Sequence, residues 1–69
     1  MATATINIDQ VLEPGDQFMD FRGDVWIFRS VTRLPRFGRS GKVSVIDLRD
    51  GSRRDFYDSV FPGLVITED

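Results

Sequence analysis

Lys42-Val43-Ser44-Val45-Ile46-Asp47-Leu48-Arg49-Asp50-Gly51-Ser52-Arg53-Arg54-Asp55-Phe56-Tyr57 reads as two β-rich arms joined at a glycine turn. Valine, isoleucine and aromatic residues fit a pleated, half-buried surface. Asp50-Gly51 is a strong short-range hairpin signal, because a type I′ turn needs positive φ at both central residues. The arms are expected at residues 42–49 and 53–57.

The flanking chain carries the same punctuation. Pro14-Gly15-Asp16 suits a type II turn, with proline presetting φ at the first central position and glycine accepting positive φ at the second. Arg22-Gly23-Asp24 and Pro62-Gly63 mark two further breaks, and Pro35-Arg36-Phe37-Gly38-Arg39-Ser40-Gly41 forms a longer loop. Strands are expected between them at residues 17–21, 25–33 and 64–67. Thr3 to Ile8 has strand-like composition and is read as an arm or an added strand. Asp58-Ser59-Val60-Phe61 is too short for a stable α-helix, but Asp58 can cap a single 3₁₀ turn. No window of helical length shows helical periodicity, and there is no internal repeat.

Composition agrees with a folded domain. The chain of 69 residues is 41% hydrophobic, 12% aromatic and 29% charged, with a net charge of −2. It has room for one core. With no cysteine and no histidine, disulfide staples, thiolate nucleophiles and histidine acid–base chemistry are excluded. A chain this short buries only about 60% of the surface it exposes unfolded. Its apolar residues therefore carry nearly all of the stability. No stretch approaches the roughly 18 apolar residues of a membrane span, and a cytoplasmic protein is expected.

Short strands around tight turns, with one 3₁₀ turn before the last strand, form an all-β layout whose closure would remove exposed edges. From about residue 12 to residue 67 the chain resembles the Src-homology-3-like barrels. The likeness rests on Pro14-Gly15-Asp16, the Asp50-Gly51 hairpin and the Asp58–Phe61 turn. It implies a small five-stranded barrel over residues 12–69, preceded by an arm or added strand at residues 1–11. The signalling members carry an Ala-Leu-Tyr-Asp-Tyr run and a tryptophan opening the third strand. Both are missing here, since Trp26 lies inside an earlier run, so binding of proline-rich peptides does not carry over. Gly15-Asp16 also looks like the opening of KOW-type barrels, but the rest of that motif is missing. The chain is similar to small barrel proteins of actinobacterial bacteriophages, a likeness that implies host cytoplasm or virion and no activity.

Period-two reading leaves a conflict. In residues 25–32 one face collects Val25, Ile27, Arg29 and Val31, and the other Trp26, Phe28, Ser30 and Thr32. Residues 42–49 are likewise apolar on both faces at their centre. A small barrel has one interior, so part of this surface needs another explanation. A bulge can swap the faces, the N-terminal segment can fold over one of them, or a second copy or other partner can cover it.

Charge is unevenly placed. Residues 1–28 sum to −4, residues 29–42 to +5 and residues 43–69 to −3. The basic block contains Arg29, Arg33, Arg36, Arg39 and Lys42 around Phe37. Arginine offers planar donors to carboxylate or phosphate, and phenylalanine a stacking face. Gly38-Arg39-Ser40-Gly41-Lys42-Val43 is not a phosphate-binding loop. Its glycines are too close, Val43 stands where Ser or Thr is needed, and no helix follows. Asp47, Asp50, Asp55 and Asp58 sit in or near turns, where carboxylates commonly cap backbone amides. The expectation is therefore a non-enzymatic protein-interaction or self-assembling module with no cofactor, metal, membrane or small-molecule substrate. Its binding residues are expected to be Arg33, Arg36, Phe37, Arg39 and Lys42, with an aromatic patch at Trp26 and Phe28. The alternative is a nucleic-acid-binding module that grips phosphates through the Arg33–Lys42 loop.

Overall fold

The computed structural model describes residues 2–68; the expected segment limits at residues 1 and 69 lie outside them. Among the described residues, seven strands form two antiparallel sheets: β1 (Ala2–Ile6), β2 (Gln10–Val11), β3 (Gln17–Met19), β4 (Val25–Arg33), β5 (Lys42–Asp47), β6 (Arg53–Tyr57) and β7 (Leu64–Glu68). The 3₁₀ turn Asp58–Val60 precedes β7. The protein is all-β. One sheet has the order β2-β1-β7 and the other is the meander β3-β4-β5-β6.

The expected turns follow their chemistry, with two corrections. Asp58 is the first residue of the 3₁₀ turn and does not cap it: Tyr57 holds the cap position with no side-chain bond, and the Asp58 carboxylate accepts instead from Gly41 N at 3.2 Å. Across Pro14-Gly15 the Asp16 amide donates to Glu13 O at 3.0 Å, as a type II turn requires. The β5–β6 connection is not a two-residue type I′ turn. Asp47 N donates to Ser52 O and Gly51 N to Asp47 O, each at 2.8 Å, which closes a longer loop over residues 48–51. Gly51 has φ 76°, whereas Asp50 stays out of the left-handed region. Two carboxylate caps explain the difference: Asp47 Oδ1 accepts from Arg49 N at 2.9 Å, and Asp50 Oδ1 from Ser52 N at 2.8 Å. Each is an Asx-type bond that spares its aspartate a left-handed backbone.

The expected strand ends shift for similar reasons. Asp20 ends β3 because its carboxylate accepts from the amides of Arg22 at 2.9 Å and Asp24 at 3.0 Å. The N-terminal strand stops at Ile6, because Asn7 and Ile8 take φ 55° and 75° in the turn to β2. Ile8 is a β-branched residue in this sterically costly region.

Packing resolves the two-faced strands. Trp26, Phe28, Val43 and Val45 point into the core with Phe18 and Phe61, and Ala4, Ile6, Leu12 and Ile66 close it from the other sheet. Val25, Ile27 and Ile46 remain half-buried on the outer face. Register shifts between Phe28 and Ser30 and between Val31 and Arg33 bend β4, so its inward parity changes along its length. The core is built from ring contacts: Phe18 lies 4.4 Å from Phe61, and Trp26 meets Phe56 edge-on at 4.9 Å, centroid to centroid. Such pairs contribute about 0.5–1.5 kcal/mol each beyond their buried area.

Candidate partner-binding surface

The loop after β4 is a small hairpin on a fastened base. Arg36 and Arg39 exchange both backbone hydrogen bonds, at 3.0 and 2.8 Å, leaving Phe37 and Gly38 as the two tip residues. Gly38 supplies the positive φ of 73° that the tip needs. At the base, Gly41 N donates to Asp58 Oδ2 at 3.2 Å and Asp58 N to Gly41 O at 2.9 Å. A Cβ on Gly41 would lie 2.9 Å from both Arg33 O and Ile66 Cδ1, so the base is packed too closely for any side chain.

Arg33 clasps this loop. Its Nε and Nη2 donate to Ser40 O at 3.1 and 2.7 Å. Its guanidinium also lies over the Tyr57 ring at 5.6 Å, and Lys42 Nζ lies over the same ring at 5.1 Å. Arg33 and Lys42 are thus engaged in holding the loop. Arg36 and Arg39 are exposed, and among the described residues their side chains meet no carboxylate within ion-pair distance. Between them Phe37 is 108% exposed. An exposed phenylalanine forgoes the roughly 1.5–3 kcal/mol that its burial would contribute. Arg36, Phe37 and Arg39 thus stand exposed on a backbone-paired hairpin, and among the described residues their side chains make no hydrogen bond or ion pair.

Trp26 and Phe28 do not join this surface. Each is 4% exposed in the core, and the aromatic patch expected from them is corrected accordingly. Trp26 is also held by its polar edge: Nε1 donates to Asp20 Oδ2 at 3.1 Å. Met19 and Leu48 are exposed on the meander near the half-buried Val25, Ile27 and Ile46, and the exposed aromatics there are Phe21, just after β3, and Tyr57 of β6. Alternation places Trp26 and Ile27 on opposite faces but does not say which one is inside.

The other arginine-bearing turns are closed on themselves. Arg22 Nη2 reaches Asp20 Oδ2 at 3.4 Å and Asp24 Oδ2 at 3.7 Å, and Arg49 Nε reaches Asp47 Oδ1 at 3.3 Å. Burial pushes the Asp20 carboxyl up, but the donors from Trp26, Asp24 and Arg22 together outweigh it and hold it below its ordinary value. Asp47 is held down first by the Arg49 amide and then by the Arg49 guanidinium. Sequence reading missed the Asp20–Trp26 bond, which crosses a turn. Its only trace was an aspartate placed to cap the amides of Arg22 and Asp24.

Among the described residues no group of three His, Cys, Asp or Glu is placed to hold a metal ion, and no helix is long and apolar enough to cross a membrane. No protein-family model matches the chain, and no curated protein or solved structure matches it either.

Proposed function

We propose that the protein is a non-enzymatic interaction module that docks through the hairpin tip Arg36-Phe37-Gly38-Arg39 onto an acidic protein surface. The observation that carries this is Phe37, fully exposed between two arginines that have no carboxylate partner among the described residues. A rigid tip loses little conformational entropy on docking. Phe37 then serves as the apolar anchor, and Arg36 and Arg39 orient it against carboxylates. The fitting partner surface is an apolar pocket ringed by Asp or Glu.

We read the scaffold as a small Src-homology-3-like barrel. The meander, the 3₁₀ turn before β7 and the pairing of β7 with β1 support that reading. The tip is favoured for protein over nucleic acid because Arg33 and Lys42 are held on Ser40 and Tyr57. The tip itself then offers two arginines without a carboxylate partner among the described residues, and so about two phosphates to neutralise, a weak grip at physiological salt.

The test uses immobilised protein and lysate from the native source, comparing the wild type with Arg36→Glu/Arg39→Glu and with Phe37→Ala. Capture of a protein by the wild type alone is expected. Equal capture by all three would remove the tip from the reading. Retardation of a labelled oligonucleotide at low salt by the wild type, abolished in the double variant, would replace it with the nucleic-acid alternative.

A further inference from the structure

We infer that the free edge of β3 is a second docking site, which takes an extended, uncharged segment of a partner polypeptide as an added strand. The backbone register shows which groups are on offer. Phe28 N donates to Asp16 O at 2.8 Å and Asp20 N to Asp24 O at 3.0 Å, and between them Phe18 faces Trp26. In an antiparallel pair the residues bonded to the neighbouring strand alternate, so Asp16, Phe18 and Asp20 bond toward β4. Gln17 and Met19 turn their N–H and C=O the other way. Among the described residues nothing bonds to these four groups, and both residues are exposed.

Beside this edge lies a groove of about 330 Å³, with β3 on one side and Ile6, Asn7, Gln10 and Pro62 across from it. No residue of β4 lines it, so it flanks β3 on the side to which Gln17 and Met19 direct their backbone groups. Its chemistry selects the occupant. An N–H and a C=O on each of two residues, one position apart, form the pattern that the main chain of a strand answers. Side chains of an added strand alternate, so one can turn in toward Ile6, Phe18 and Pro62 while its neighbours face solvent. A charged side chain finds no counterpart there. The one carboxylate in the lining, Asp20, is buried and bonded to Trp26 and Arg22. The segment that fits is therefore neutral, unlike the acidic surface that fits the tip.

The other edges sharpen the choice. Edge strand β6 carries Arg53, Arg54 and Asp55, charges of the kind that keep an edge from pairing, whereas residues 17–19 carry none. Along β3 the exposed side chains include Met19 and, just beyond it, Phe21. A second copy of β3 is a poorer occupant than a foreign strand. Full antiparallel overlap would set Asp16 of one copy opposite Asp20 of the other at both ends, and like charges directly opposite destabilise a pair.

NMR titration of the isotope-labelled protein with capped seven-residue peptides tests this. In the neutral probe threonine alternates with valine around a central leucine; in two further probes that leucine is aspartate or lysine. The neutral probe, at up to roughly 1 mM, should shift the amides of Gln17 and Met19 and slow their hydrogen exchange. The charged probes should bind at least ~10-fold more weakly, about 1.4 kcal/mol. Met19→Pro removes an outward N–H that the fold does not use, and should weaken the neutral probe by a similar factor. Gln17→Pro takes its place if Met19→Pro fails to fold, and a probe N-methylated at alternate residues removes the same bonds from the other side. No shift with the neutral probe overturns the inference, as do equal affinity for the charged probes and binding that survives both proline and N-methylation. Slowed exchange at these two amides that grows with protein concentration alone also overturns it, in favour of a second copy. Arg36→Glu/Arg39→Glu should leave peptide binding unchanged, so this edge and the tip stand or fall separately.

Discussion

Strand β4 begins beside Arg22, whose guanidinium reaches the carboxylates of Asp20 and Asp24, and it ends at a loop whose Arg36 and Arg39 meet none. At the first end, arginine and aspartate close a turn on themselves and anchor the indole of Trp26. At the second, backbone bonds and Arg33 hold the loop, and its remaining arginines point outward. One residue type is thus consumed in folding at one end and left available at the other. The difference lies in what holds each turn. A turn whose carboxylates lie beside its arginines neutralises them, whereas one whose single carboxylate, Asp58, is set at the base on the Gly41 amide leaves its tip arginines free.

The largest effect should come from the closed end. Asp20→Ala leaves Trp26 Nε1 buried without its acceptor and frees two amides, costing about 3 kcal/mol. That is most of the few kcal/mol available to a domain of this size. Urea denaturation followed by Trp26 fluorescence measures it, and a loss below about 1 kcal/mol would show that the carboxylate is not what secures this end. The same group predicts acid sensitivity. Asp20 and Asp47 are held below their ordinary value of 3.8 in the folded protein. Their contribution is therefore present above pH 3.8 and is lost as pH falls through the folded-state values. With no histidine to titrate, stability should stay nearly flat from about pH 6 to 8. A marked slope there would contradict this assignment.

At the open end, Gly41→Ala forces Cβ against Arg33 O and Ile66 Cδ1. It should lower stability by about 2 kcal/mol, with faster amide exchange at Arg36 and Arg39. Tyr57→Ala removes the ring beneath Arg33 and Lys42 and should cost about 1 kcal/mol. The smallest effect belongs to the tip. Phe37→Ala should change thermal stability by less than about 0.5 kcal/mol, even though the residue is a phenylalanine. A larger loss would mean that Phe37 packs on its own protein and that the two ends are not opposites.

Much of this contrast was legible before any coordinates. Pro14-Gly15-Asp16 and Pro62-Gly63 lie where their backbone preferences put them, and the 3₁₀ turn stands at Asp58–Val60 although Asp58 does not cap it. The basic block at residues 29–42 already set Arg36, Phe37 and Arg39 apart. The inward face of β4 was not legible, because alternation is symmetric between faces and the bulges after Phe28 and Val31 change parity midway. The β5–β6 loop was misjudged because Asp50-Gly51 was read alone. The spacings Asp47 to Arg49 and Asp50 to Ser52, each two residues, are those of carboxylate-capped amides and were visible in the chain. The groove was out of reach of any local reading, since Pro62 meets residues more than forty positions earlier.

The pairing of β1 with β7 sets Ala2 opposite Glu68. The two extremities of the described chain therefore lie one ladder spacing apart, about 5 Å. Anything fused to either one leaves from the same corner, and a bridge of a few glycines can weld the backbone into a ring. Such a cyclic version has fewer unfolded arrangements to lose, so it should melt at a higher temperature with every core contact unchanged.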